Sequence, residues 1–173
     1  MKRNIRNSRV FNALIKKINK DPEQGLKEFY QKYAPLIVSV ATASLGKDGV
    51  DHVVNDVLIK IWQFSKSPTI VHYPIAWLST ITRNCVHDRK ESEKSTEIAL
   101  DVAVAYEYNY ENEDFYSIIS QLNEISQEIF IMKFVYGYSF KEIATELNKP
   151  ISTVTTAYYK AIEEVKAKIE EEE

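Results

Sequence analysis

The chain has 173 residues, 45% apolar and 27% charged, with a formal net charge of −3, the make-up of a soluble globular protein rather than a disordered one. Four Gly and five Pro supply too few turns for a many-stranded sandwich or barrel, and no glycine-rich loop that could cradle a nucleotide phosphate. A single Cys excludes an internal disulfide and suits a cytoplasmic protein, and neither a membrane-length apolar run nor a secretory signal is visible.

Charge is segregated along the chain. Residues 1–20 carry seven Lys/Arg and no acid, whereas residues 91–114 carry eight acids against one Lys. Blocks of this kind say more about partners than the global sum does.

Apolar spacing predicts helices almost throughout. Val10, Phe11, Leu14, Ile15 and Ile18 form one stripe. Leu26, Phe29, Tyr30 and Tyr33 form a second, which Pro35 should break or kink before Leu36, Ile37 and Val40 resume it. After a turn at Gly46 and Gly49, Val50, Val53, Val54, Val57, Leu58, Ile61 and Trp62 recur as the face of an amphipathic helix, Val50–Phe64. Its other face carries Asp51, His52, Asn55, Asp56, Ile59, Lys60 and Gln63. Such a face is either plainly solvated or a docking surface whose acids meet a basic partner.

A loop, Ser65–Tyr73, leads to a helix over Pro74–Lys90, with Pro74 in its first turn. Leu78, Ile81 and Cys85 make its inner side; Thr80, Arg83, Asn84 and His87 share the outer one, with Arg89 further on. Arg holds phosphate or guanine and Asn pairs the edge of adenine. Trp77 suits either the core or a stacking platform for an unpaired base.

Residues 91–114, acidic and weakly periodic, read as a linker. Structure resumes near Phe115, followed by an apolar helix, Ile129–Val135, and Gly137 as its left-handed cap. Ser139 and Glu142 have capping-box spacing. A short helix from there should end near Leu147, with Asn148 supplying a positive φ in the turn. Ser152 is expected to cap the last helix. Ile143, Ala144, Ile151, Val154 and Ala157 fit the inner side of a helix-turn-helix spanning Phe140–Ala161. Its second helix then presents Ser152, Thr153, Thr155, Thr156, Tyr159 and Lys160 outward, the face that enters a major groove. A plain helical hairpin is the alternative.

No metal or catalytic constellation emerges. His52 and Asp56 are four apart but lack further ligands. Cys85 and His87 point to different faces of one helix, which disfavours an activated thiol. The reading is all-α: two small helical domains, 1–90 and 115–173, joined by an acidic linker, with neither enzyme chemistry nor a cofactor.

These residues resemble the bacterial RNA polymerase sigma factors, specifically the two-domain extracytoplasmic-function group, over roughly Leu26–Lys90 and Ile118–Lys168. The carriers are Phe29-Tyr30-x-x-Tyr33-Ala34-Pro35-Leu36, the run from Asp51 to Trp62, Trp77-Leu78-x-x-Ile81-x-x-Asn84-x-x-x-Asp88, and the segment from Leu122 through Gly137-Tyr138-Ser139-Phe140-Lys141-Glu142-Ile143-Ala144. The resemblance implies a non-enzymatic transcription initiation subunit built from an N-terminal sigma helical bundle and a C-terminal helix-turn-helix. Core polymerase would bind at Asp51, His52, Asn55, Asp56 and Lys60. The minus-ten element would be opened by the Ser65–Tyr73 loop with Trp77, Thr80, Arg83, Asn84, His87 and Arg89. The minus-thirty-five element would be read by Ser152, Thr153, Thr155, Thr156, Tyr159 and Lys160. Core RNA polymerase, promoter DNA and an anti-sigma factor are the implied partners, without membrane insertion. Only Lys160 is cationic on the reading face, so the second domain alone should hold DNA weakly. A sigma-like regulator that binds polymerase or an anti-sigma factor without reading promoters is the alternative.

Overall fold

A computed structural model describes residues 2–46, 48–91 and 113–172. Nearly all of the expected linker, residues 92–112, lies outside the described residues. Among the described residues the chain is helical and contains no strand: α1 (Lys2–Lys20), α2 (Pro22–Leu45), α3 (Val50–Lys66), α4 (Pro74–Glu91), α5 (Glu113–Ser120), α6 (Glu124–Phe130), a π-helical turn (Ile131–Val135), α7 (Phe140–Glu146) and α8 (Ile151–Glu172).

The first four helices pack around the apolar stripes the sequence predicts. Phe11 and Ile18 of α1, Phe29, Leu36 and Ile37 of α2, Val53, Val57 and Ile61 of α3, and Leu78 of α4 are fully buried. Each contributes roughly 1.5–3 kcal/mol by leaving water. Phe11 is the hub: its ring meets Phe29, Tyr33 and Trp77 edge-on at 5.8, 5.4 and 5.6 Å. Trp77 also packs on Phe64 at 4.8 Å, which makes it part of the core margin.

α1 and α2 turn back on one another at Asp21, whose carboxylate caps α2 by accepting from Gln24 N–H. The two helices approach so closely that a Cβ on Gly25 would lie 2.6 Å from Ile18 Cα. α2 does not break at Pro35 but runs unbroken to Leu45. Tyr33, Leu36, Ile37 and Val40 on either side are anchored in one core, and that burial outweighs the missing backbone bond.

In the second half, Asn123 caps α6 by accepting from Ser126 N–H at 3.0 Å. The apolar helix expected over Ile129–Val135 is in fact α6 followed by the π-helical turn, closed by Gly137 at φ 67°. Ser139 and Glu142 form the reciprocal capping box that opens α7. Asn148 takes φ 50° in the turn before α8. α8 begins at Ile151, so Ser152 is a first-turn residue and not the cap. Pro150 supplies the first carbonyl instead, accepting from Val154 N–H at 3.1 Å.

The two halves share one continuous apolar core, from Phe11 to Val165. α5 lies against α2. Gln127 donates to the Ser39 carbonyl at 3.0 Å, and Tyr136 donates to the Lys32 carbonyl at 3.2 Å.

Candidate nucleic-acid interface

The outer face of α3 carries the polar residues the sequence singles out. Asp51, His52 and Asn55 are exposed, and Asp56 and Lys60 are half-buried. The last two are engaged with α4: Arg89 donates to Asp56 from Nε and Nη2 at 2.5 and 3.1 Å, and Lys60 pairs with Asp88 at 3.0 Å. This face thus has a solvent-exposed part near the start of α3 and a further part already bonded to α4. Arg89, expected to meet DNA, is the bidentate partner of Asp56.

The connection from α3 to α4 is held from α1. Asn12 donates to the Val71 carbonyl at 2.9 Å and accepts from the Val71 N–H at 3.0 Å. Ser8 donates to the same carbonyl at 2.6 Å. Flanking side chains stay outward, with Ile70 71% exposed and Tyr73 44% exposed. A loop with a clamped backbone and outward apolar and aromatic side chains can present them to unstacked bases. Sequence reasoning does not single out Asn12 or Ser8. Polar side chains interrupting an otherwise apolar helix edge are the signal that could have found them.

On α4, Thr80, Asn84 and His87 are exposed along one side. Thr80 donates its hydroxyl to the Ala76 carbonyl, and His87 lies 3.6 Å from Glu91. Arg83 differs from them. Its Nε lies 2.6 Å from Glu124 and its Nη2 lies 2.7 Å from Glu128, both on α6. Eight residues earlier, at the start of the same helix, Glu146 Oε1 accepts from Ile75 N–H at 2.8 Å and Ala76 N–H at 3.3 Å. Burial pushes the Glu146 carboxyl up to about 7. Glu128 and Glu142 add like charge, while the two N–H bonds pull the other way. Sequence reasoning misses Glu124, Glu128 and Glu146; acids at buried helical positions are the signal that marks Glu128 and Glu146, whereas Glu124, an exposed first-turn residue of α6, carries none.

The second candidate face is open. α7, the Asn148 turn and α8 form a helix-turn-helix with Ile143, Ala144, Val154 and Ala161 inside, whereas Ile151, expected on the inner side, opens α8 and is half-exposed. Ser152, Thr153, Thr156, Tyr159 and Lys160 are exposed and Thr155 is half-buried. The Thr155 hydroxyl donates to the Ile151 carbonyl at 2.8 Å, which engages its proton and leaves the oxygen able to accept. Tyr159 packs edgewise on Tyr158.

Cys85 is buried, and burial raises its thiol above the ordinary range. Among the described residues no three metal-ligating side chains converge, and no helix is long and apolar enough to cross a membrane.

Two family models match the chain in order. Sigma-70 region 2 matches residues 29–96 and sigma-70 region 4 matches residues 112–165, so together they span most of the sequence. No curated protein matches. Among solved structures, CnrH in complex with the cytosolic domain of CnrY is similar at 17% identity and TM-score 0.55, over 93% of this chain and 97% of that one. The sigma factor RpoE in complex with the anti-sigma factor NepR, from Bartonella quintana, aligns at 20% identity and TM-score 0.48, over 83% of this chain and 98% of that one.

Proposed function

Because the chain belongs to the sigma-70 family, matching its regions 2 and 4 in order, we propose that it is a sigma factor of the extracytoplasmic-function group that directs core RNA polymerase to a set of promoters. It works without catalytic residues and in the cytoplasm. The carrying observation is that the region 4 match coincides with a formed helix-turn-helix whose second helix, α8, presents Thr153, Thr156, Tyr159 and Lys160 to solvent.

In this reading residues 1–90 form the domain that binds polymerase and the minus-ten element, and residues 115–173 the domain that reads the minus-thirty-five element. Core polymerase docks on Asp51, His52, Asn55, Asp56 and Lys60. Opening of the duplex at the minus-ten element uses the outward side chains of the loop after α3, with Thr80, Arg83, Asn84 and His87 of α4. Trp77 supports them from the core margin and Arg89 through Asp56. Upstream readout uses Ser152, Thr153, Thr155, Thr156, Tyr159 and Lys160. Hydroxyls make single hydrogen bonds and threonine methyls meet thymine methyls, while Lys160 holds phosphate. Tethering through the first domain raises the effective concentration of this charge-poor helix at its site. An anti-sigma protein is a further partner; the similarly folded CnrH was solved bound to another protein's cytosolic domain.

Overexpression in the source cell followed by transcript sequencing tests the reading. A discrete set of newly used start sites sharing an upstream and a downstream element is expected. Unchanged start sites, with the protein bound to polymerase, would favour the regulator that does not read promoters; the single cation on the α8 face is the observation on that side.

A further inference from the structure

The loop between α3 and α4 is tied at its ends by helix termini: Ser67 N–H donates to the Phe64 carbonyl at 3.2 Å, and Trp77 N–H to the Tyr73 carbonyl at 3.0 Å. In its middle, Val71 is fixed from α1. Val71 is buried. Its N–H donates to Asn12 Oδ1 at 3.0 Å, and its carbonyl accepts from Asn12 Nδ2 at 2.9 Å and from Ser8 Oγ at 2.6 Å. A carboxamide carries a donor and an acceptor side by side, so Asn12 pairs both peptide groups of Val71 as a residue on a neighbouring strand would. The two donors together fill both lone pairs of the Val71 carbonyl. Asn12 Nδ2 also donates to the Ser8 carbonyl at 2.7 Å, which holds the amide from its own helix. α1 itself is anchored, with Phe11, Ile15 and Ile18 in the core and the Phe11 ring edge-on to Trp77 at 5.6 Å. One helix therefore fixes both the loop and the start of α4. Around the fixed Val71, Ile70, His72 and Tyr73 are exposed.

We propose that Asn12 and Ser8 are positioning residues for base selection at the minus-ten element. They act through Val71 and touch no DNA. By fixing the Val71 peptide they fix where Ile70, His72 and Tyr73 stand toward an unstacked base, and so which bases those side chains accept. A loop released at Val71 would offer the same side chains over a range of positions, and a site whose supporting contacts are lost discriminates less. The inference rests on the sigma-factor reading for the identity of the ligand; the clamp on Val71 does not.

The test uses the full chain reconstituted with core polymerase on a promoter library randomised at both elements, with the transcripts sequenced. Asn12→Leu removes both amide bonds in nearly the same volume. It should lower the preference for the best base over the next by about fivefold at one or two adjacent minus-ten positions, as the loss of a hydrogen bond would. Preference at the minus-thirty-five element and affinity for core polymerase should stay at parent values. Ser8→Ala leaves the Asn12 pair in place and should act at the same positions more weakly, by about twofold; it keeps the test decisive if the leucine variant folds poorly. A purely structural role would lower transcription from every library member by one factor, and that outcome, or parent preferences in both variants, would overturn the proposal. Exchange of the Val71 amide proton in the free protein, followed by NMR, tests the clamp without DNA. It should be several-fold faster in Asn12→Leu, and an unchanged rate would also overturn the proposal. If the parent itself gives no promoter-dependent transcripts, the sigma-factor reading fails; if the parent transcribes and the variants keep its preferences, only the positioning role is wrong.

Discussion

Arg83 of α4 reaches across to Glu128 of α6, 2.7 Å away, and Glu128 is almost wholly buried at the contact. The residue best suited to hold a splayed strand is therefore also a tie between the two halves of the chain. Removing it has two consequences. Arg83→Ala should abolish strand opening in the holoenzyme, measured by permanganate reactivity of unpaired thymines. It should also destabilise the free protein by roughly 1–3 kcal/mol in urea unfolding, because Glu128 is left buried and unpaired. Loss of opening with unchanged stability would show that the ion pair adds nothing to the fold.

Glu146 makes the stability of the fold sensitive to pH. Its carboxyl is raised from the ordinary 4.5 to about 7, chiefly by burial, with Glu128 and Glu142 adding to it and the Ile75 and Ala76 N–H groups opposing. Tyr33 and Tyr138 face it as neutral phenols, their own ionisation pushed up first by burial and then by Glu146 itself. A raised carboxyl favours the folded, protonated form. Its contribution is full below the ordinary value and is lost as pH rises through about 7, a span worth at most about 3 kcal/mol. The urea midpoint of the full chain should thus be higher at pH 6 than at pH 8. Glu146→Gln keeps an oxygen for the two N–H groups and should flatten that dependence. An equal pH response in the two proteins would assign it elsewhere.

The docking face on α3 divides into two parts. His52→Glu with Asn55→Lys alters exposed residues and should weaken core polymerase binding while leaving the melting temperature near that of the parent. Asp56→Lys should do both kinds of damage, because it places a cation against Arg89, which lies 2.5 Å from the Asp56 carboxylate. Equal polymerase affinity for the His52 and Asn55 variant would show that polymerase does not dock on this face.

Gly25→Ala addresses the hairpin of α1 and α2. The new Cβ would sit 2.6 and 2.7 Å from the Ile18 Cα and N atoms, which are backbone and cannot rotate away. A loss of roughly 1–3 kcal/mol is expected, read as a lower urea midpoint. An unchanged midpoint would mean that the two helices separate at little cost.

The helices are legible in the sequence because their apolar spacing is regular: Val53, Val57 and Ile61 are buried where the period places them. The capping box at Ser139 and the positive φ at Asn148 are legible because both rest on local chemistry. The start of α8 is displaced from the expected one because a Ser near a helix start suggests a cap, whereas Pro150 already occupies that position. The unbroken α2 is not legible, since tertiary burial around Pro35 decides it. Contacts between distant residues are hidden altogether. Asp56 with Arg89, Arg83 with Glu128 and Glu146 with Ile75 join residues 33, 45 and 71 positions apart, and no local pattern encodes such pairs.

Readout by α8 rests on little charge, because Lys160 is the single cation among its expected reading residues and lies 3.9 Å from Glu164. Thr155→Ala with Thr156→Ala should change base preference at the upstream element and leave the downstream element untouched. Lys160→Ala should weaken all promoters alike and reduce the salt dependence by about one phosphate contact. A promoter-library assay in which the threonine variant keeps the parent's preference would show that α8 does not read bases.

Transcription reconstituted from purified core polymerase, this protein and a library of duplex promoters from the source genome decides whether the chain directs initiation. Transcripts should arise from a small, defined set of promoters that core polymerase alone does not use. Transcript levels indistinguishable from those of core polymerase alone, with the protein folded and bound to it, would show that it does not direct initiation.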